Sequence, residues 1–448
     1  MIKKKLFFFL LLVFLNSCSF DHKTGIWGEN RDEKRRIAEL EKRQNQTIET
    51  VRVYSSDNIF SEEKELIDKI NLSKPKSNLS WEQNGLNEQN LLGNIFLNGV
   101  DNVVMKKKIG KNKFKMSKVS SSPLTYKDNI FLTDDTGTIF NINKNGKLIW
   151  KRNIYKKVYK KIYKHLTLSI YNNDIYVADN IGLIYSIDII TGNLSWLKNH
   201  GVPLKSKIRV YENKIFLINQ DNRILSLSVK DGSVIWDIRS IPSFIKSQNF
   251  LSLAISKDGD VIASTSSGDL IKINSKNGMV YWSINTLISN LVYSTDFFKS
   301  SEIVISGKNI IFSTQSSIFS FGLSNGYTNW EKNISSIGAP IIVGNNIFFV
   351  TENGYFIILN LNSGELVSST YILKNLKNKK QLTKITGFVM GSGNIYSVTR
   401  NGYLIKNSAY SGKTESFKKI SNLITSSPII SNGKLFVYTE NSKILVFN

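Results

Sequence analysis

The chain has 448 residues, 41% of them apolar, and 28 glycines, which is enough material for a sizeable globular core. Its single cysteine excludes an internal disulfide, and its three histidines, His22, His165 and His200, show no metal-ligand spacing. The net charge of +24 suits attraction to an anionic surface or to nucleic acid. The basic residues are nevertheless spread through the whole chain, as compositional drift toward Lys, Asn and Ile would leave them.

The N-terminus reads as an address. Lys3, Lys4 and Lys5 precede an apolar run from Leu6 to Leu15. This is the charged region and core of a secretory signal, too short to span a membrane. It ends in Leu15-Asn16-Ser17-Cys18, which resembles the lipobox of bacterial lipoproteins. Residues 1–17 are therefore expected to be a signal peptide and Cys18 a lipid-attachment site. Several acyl chains on one residue give stable anchoring without a transmembrane helix. Ser19 replaces the aspartate that retains such proteins at the inner membrane of enteric bacteria, so the outer membrane is expected by analogy. From 18 to 80 the chain is charged and poor in aromatics, the composition of a flexible tether.

The rest of the chain is repetitive. Gly146/Trp150, Gly192/Trp196, Gly232/Trp236, Gly278/Trp282 and Gly326/Trp330 share one spacing, and Gly364/Ser368 and Gly412/Ser416 are degenerate copies. Successive glycines lie 46, 40, 46, 48, 38 and 48 residues apart. A period of about 40–50 residues is that of propeller blades. Within the first copy, Asn129–Leu132, Thr138–Ile142 and Lys147–Ile154 read as strands separated by Asp134-Asp135-Thr136-Gly137 and Asn143-Lys144-Asn145-Gly146 turns. The recurring tryptophan reads as inter-blade core rather than as a ligand-stacking row. An eighth copy, beginning at Leu435, stops at Asn448 before its Gly-x-x-x-Trp strand. Asn102–Ile109 matches the missing strand, with Met105 in the tryptophan slot. The expected fold is all-β: an eight-bladed propeller over residues 81–448, four antiparallel strands per blade, closed by an N-terminal strand.

Motifs for chemistry are lacking. The sequence holds no phosphate-binding glycine loop, no Gly-x-Ser-x-Gly and no Cys/His or His/carboxylate cluster. Acids such as Asp134, Asp135, Asp179 and Asp221 recur at turns, where Asx-turn bonding accounts for them. One stretch, Ile154 to Lys164, alternates basic and aromatic or aliphatic residues. It reads as an elaborated loop able to touch lipid headgroups or an acidic partner.

The Gly-x-x-x-Trp blade signature resembles that of pyrroloquinoline-quinone-type propellers, which include the quinoprotein dehydrogenases and the BamB family of outer-membrane barrel-assembly lipoproteins. The lipobox at Cys18, the length of the ring, the Trp81-Glu82-Gln83-Asn84-Gly85 entry segment and the lack of a vicinal cysteine pair make the chain similar to the BamB family. That resemblance implies a non-catalytic scaffold with no cofactor, metal, nucleic acid or small-molecule substrate. It implies a lipid-anchored protein facing the periplasm that docks on a POTRA domain of the channel protein BamA through loops on one face. The corresponding loops contain Phe244, Ile245 and Lys246, and Asp296, Phe297 and Phe298. Exposed phenylalanines there suit an interface core, with Lys246 and Asp296 at its rim. Two alternatives stay open. One is a quinone-dependent dehydrogenase, which needs a tryptophan floor and Ca²⁺-ligating acids at the channel mouth. The other is a carbohydrate- or cell-wall-binding envelope propeller stacking sugars on Tyr155, Tyr159 and Tyr163.

Overall fold

The computed structural model describes residues 35, 62–66, 70–114, 121–240, 251–286, 300–374 and 383–448. Phe60–Asn448 form one compact unit. Its strands are numbered in chain order. Blade 1 is β2–β5 (Leu124–Tyr126, Asn129–Thr133, Ile139–Asn143, Leu148–Arg152) and blade 2 is β6–β9 (Leu166–Tyr171, Asp174–Asp179, Leu183–Asp188, Leu194–Asn199). Blade 3 is β10–β13 (Arg209–Tyr211, Lys214–Ile218, Arg223–Ser228, Val234–Arg239) and blade 4 is β14–β17 (Leu253–Ile255, Val261–Ser264, Asp269–Ile273, Val280–Asn285). Blade 5 is β18–β21 (Val304–Ser306, Asn309–Ser313, Ile318–Gly322, Thr328–Lys332) and blade 6 is β22–β25 (Ile341–Val343, Asn346–Val350, Tyr355–Asn360, Leu366–Tyr371). Blade 7 is β26–β29 (Ile385–Gly391, Asn394–Thr399, Tyr403–Ser408, Thr414–Lys419). Blade 8 is β30–β32 (Ile429–Ser431, Lys434–Tyr438, Lys443–Phe447) with β1 (Val103–Lys108) as its outer strand.

The all-β, eight-bladed expectation holds, including closure by the N-terminal strand. β1 pairs antiparallel with β32, from Val103 opposite Phe447 to Lys108 opposite Lys443. Each outer strand carries a bulge two residues wide at the tryptophan slot: Trp150 faces Asn141 while Leu148 faces Ile142. The same irregularity recurs at Met105, Ser368 and Ser416. The slot is thus a backbone feature, kept where the tryptophan is not. A bulge turns the strand locally and re-aims one side chain.

The aim is sideways. The Trp150 indole N–H donates to Ile189 O of blade 2 (3.1 Å), and the corresponding bonds run from Trp196 to Val229 O (2.9 Å), Trp236 to Ser275 O (3.1 Å), Trp282 to Leu323 O (3.4 Å) and Trp330 to Leu361 O (2.9 Å). Each indole also lies on the repeat glycine of the next blade. A Cβ on Gly192 would stand 2.6 Å from Trp150, in a backbone with φ +69°. Glycine is required there both for the turn and for the neighbour's ring. The motif therefore works between repeats, not within one.

The innermost strands line the channel, and a strap closes one end of it. Trp81 pairs with Thr125 of β2, and Glu82 O accepts from Ile170 N of β6 at 2.7 Å. Glu88 O accepts from Ile255 N (2.8 Å) and Gln89 O from Ile305 N (3.0 Å). Ile95 O accepts from Ser392 N (2.8 Å), and Asn98 N donates to Gly433 O (2.9 Å). Residues 81–98 thus stitch the ends of six innermost strands. Gly85, at φ +91°, admits the Asn90 side chain, which a Cβ would approach to 2.1 Å.

Candidate interaction site

Residues that start the innermost strands surround a cavity of about 280 Å³ at the end opposite the strap. Hydroxyls form much of its wall, among them Ser121, Thr167, Ser252 and Ser427, and Asn84 of the strap also reaches its lining. Lys207 before β10 and Glu302 before β18 form an ion pair across it. Burial of Glu302 opposes its ionisation, but Lys207 and then Arg209 outweigh this and hold its carboxyl below the usual range. Arg209 is fully buried and donates to Ile208 O (3.0 Å), Leu253 O (3.3 Å) and Asn90 Oδ1. It ties the cavity to the strap. A buried guanidinium keeps its charge only when its donors are satisfied in this way.

The quinone-dehydrogenase alternative calls for a tryptophan floor and acids that converge on a cation. The described lining includes Asn84 but no tryptophan, and its carboxylate Glu302 is held by Lys207. Among the described residues no group of three or more His, Cys, Asp or Glu side chains is placed to hold a metal ion.

Described residues that lead from an outer strand into the next innermost strand lie at this same end. Leu251 and Ser300, which follow the two loops expected to meet a partner, both line the cavity. Phe244, Ile245 and Lys246, and Asp296, Phe297 and Phe298, lie outside the described residues, as does Cys18. The third such connection, after blade 1, is described. It contains a 3-10 turn, Lys157–Tyr159, with Lys156, Lys157, Val158, Lys160, Lys161 and Ile162 exposed.

That loop stands on a buried base. Tyr155 donates its hydroxyl to Asp179 Oδ2 at 2.5 Å, and Lys164 lies over the Tyr155 ring at 5.0 Å. Asp179 Oδ1 accepts from the backbone N–H groups of Ile181 (2.9 Å), Gly182 (2.9 Å) and Leu183 (2.8 Å), the expected turn chemistry. Burial raises the Asp179 and Asp135 carboxyl pKa values and lowers that of the Lys164 ammonium. Tyr155 is buried and Tyr163 packs edge-on against Phe114 at 6.1 Å. Tyr155 thus serves the loop's foundation and offers no open ring for a sugar.

Lys64 pairs with Ser369 of β25, adding a short segment outside blade 6. Part of the expected tether is therefore built onto the propeller.

A family model described as outer membrane protein assembly factor BamB matches residues 135–370. A curated relative of that name from Moranella endobia (strain PCIT) is 22% identical over 232 residues, 46% of this chain and 58% of the relative. The match thus spans less than two thirds of that relative's length. Among solved structures, BamB from Moraxella catarrhalis superposes with a TM-score of 0.63 at 11% identity, covering 78% of this chain and 99% of the other. A quinohemoprotein alcohol dehydrogenase from Pseudomonas putida HK5 gives 0.61 at 10% identity, covering 82% and 80%. At such identities the two structures share the fold with this chain, and the fold is common to an assembly factor and a dehydrogenase.

Proposed function

This chain belongs to the BamB family of outer membrane protein assembly factors, and from that premise we propose that it is a non-catalytic scaffold of the outer-membrane barrel-assembly complex. In this reading it is anchored by lipid at Cys18, faces the periplasm, and docks on a POTRA domain of the channel protein BamA to assist folding and insertion of β-barrel proteins. The observation that carries the reading is the asymmetry of the ring. One end is bridged by residues 81–98, while Leu251 and Ser300, which follow the two expected contact loops, line the cavity at the other. A closed ring presents loops on a rigid frame, which suits recognition by preorganised surfaces. The loops bearing Phe244, Ile245, Lys246, Asp296, Phe297 and Phe298 are the proposed contact surface.

The test is capture of the full lipidated chain from detergent-solubilised envelopes. The channel protein should co-purify, and substituting Phe244 and Phe297 together by Ala should reduce its yield at least tenfold. Absence of the channel protein under conditions that keep the rest of its complex together would reject the proposal.

A further inference from the structure

Blade 6 differs from the first five blades at its outer edge. Its slot holds Ser368, and no indole reaches across to Gly412 of blade 7; the Ser368 Oγ is what a Cβ on Gly412 would meet, at 3.0 Å. A groove of about 460 Å³ occupies this seam, walled by Ser369–Ile372 on one side and Tyr410–Thr414 on the other. Residues 63–66 form its remaining wall.

Those residues bind as a strand does. Lys64 N donates to Ser369 O (2.9 Å) and Ser369 N to Lys64 O (3.0 Å), a reciprocal antiparallel pair. Ser368 Oγ also donates to Lys64 O at 3.1 Å. The Lys64 ammonium reaches Leu366 O at 2.6 Å, and Tyr371 N donates to Glu63 Oε1 at 3.0 Å. Glu63 forms an ion pair with Lys374. Leu66 packs against the core cluster containing Ile357 and Ile372. The bonds to β25 are main-chain in character, so they read an extended backbone; Lys374 reads a carboxylate, and the core beside Leu66 reads an aliphatic side chain. This is the division of labour in recognition by strand addition. The groove meanwhile leaves room for a side chain larger than the resident segment supplies.

We propose that the outer edge of β25 is a strand-addition site for an extended polypeptide bearing a carboxylate and, three residues on, an aliphatic side chain, and that residues 63–66 are its resting occupant. A segment tethered in the same chain competes at high effective concentration and masks the site. The proposal goes beyond the assembly role, and its test uses no channel protein.

The probe is a fluorescently labelled synthetic peptide of residues 61–67, titrated against the full chain and its variants by anisotropy. Lys64→Pro removes the N–H that bonds Ser369 O and should free the edge without touching a blade strand. The peptide should bind this variant at least tenfold more tightly than it binds the unsubstituted chain. Amide exchange at Ser369 should quicken in Lys64→Pro and slow again when peptide is added. Adding Ser369→Pro to Lys64→Pro should abolish binding, since it removes an N–H directed outward from an edge strand. Lys374→Glu in the same background should weaken binding at least fivefold through its carboxylate, and serves if the double proline variant does not fold. No binding to Lys64→Pro, or equal binding to the chain with and without these changes, would overturn the proposal.

Discussion

The seams after blades 1 to 5 and those after blades 6 and 7 solve one problem in two ways. In the first group an indole leaves a bulged outer strand, covers the next blade's glycine and bonds a carbonyl there. In the second the bulge remains, but the slot holds Ser368 or Ser416. Ser368 is buried because residues 63–66 lie over it, whereas Ser416 is exposed. Beyond Ser416, Lys418 Nζ reaches Asp101 O at 3.1 Å, next to the strand that closes the ring. The difference teaches that the backbone of the repeat is conserved more strictly within this chain than the side chain it displays. Where the side chain is small, another part of the chain comes to the seam.

The largest contrast should come from truncating the slot itself. Trp330 is buried and its indole N–H is satisfied in blade 6. Trp330→Ala should destabilise the propeller by about 3–5 kcal/mol, the range for emptying a buried aromatic site. Ser368→Ala should cost only about 0.5–1.5 kcal/mol, the worth of one hydrogen bond. Denaturant unfolding of both variants measures the gap, and equal losses would mean that the indole seams are not the tighter ones.

The repeat and its closure could be read in advance because they rest on patterns of short range. Glycine turns and alternating strands are visible within a few residues, and Met105 could be aligned to the slot by its flanking pattern. The innermost strands were less visible, since three residues such as Leu124–Tyr126 are too few to show a period. The strap and the cover on β25 were not visible at all. Their bonds join residues as distant as Lys64 and Ser369, through backbone atoms that carry no sequence signature. The inter-blade role of the tryptophan was legible from its recurrence, but the carbonyl and the glycine it meets in the next blade needed the fold. Of the described site, the loop over Ile154 to Lys164 stood out by its alternating basic and aromatic or aliphatic residues, but its buried base of Tyr155, Asp179 and Lys164 needed the fold.

Adding a methyl group tests the other partner of each seam. Gly192→Ala would set a Cβ 2.6 Å from Trp150 at φ +69°, whereas Gly412→Ala at φ +71° would meet Ser368 Oγ at 3.0 Å. Both pay the left-handed backbone penalty of about 1–2 kcal/mol. Only the first must also displace an indole, which adds about 1–3 kcal/mol for overpacking. Subtracting one thermal-stability loss from the other isolates the ring contact. A result in which Gly412→Ala is the worse variant would invert the comparison.

The two groups of seams should also answer differently to pH. Asp179 sits between blades 1 and 2, and burial raises its folded pKa above 3.8. The folded state then holds the proton more tightly than the unfolded chain does. Its contribution to stability is full below 3.8 and is lost as pH rises through the folded value. Asp179→Asn keeps an acceptor for the three backbone N–H groups and does not titrate. Relative to this variant, the unsubstituted chain should therefore lose stability as pH rises from 3.8. Melting curves of the pair across that range measure the slope, and a gain with rising pH would refute the assignment to burial.

At blade 6 the sign reverses and the size shrinks. The hydrogen bond from Lys374 lowers the Glu63 pKa below 4.5, against a smaller opposing effect of burial, so the folded state binds this proton less tightly. Its stabilisation is present above 4.5 and fades as pH falls through the folded value. The pair is exposed and screened by salt, so the effect should show locally rather than in global unfolding. Protection of the Ser369 amide, corrected for the intrinsic pH dependence of exchange, should fall below pH 4.5 in the unsubstituted chain and stay flat in Glu63→Gln. High salt should flatten the first curve onto the second. If protection in the unsubstituted chain is already flat below pH 4.5 at low salt, the segment is held by its main-chain pair with Ser369 and by Leu66 alone, and the cover over the serine seam is as indifferent to charge as the indoles it replaces.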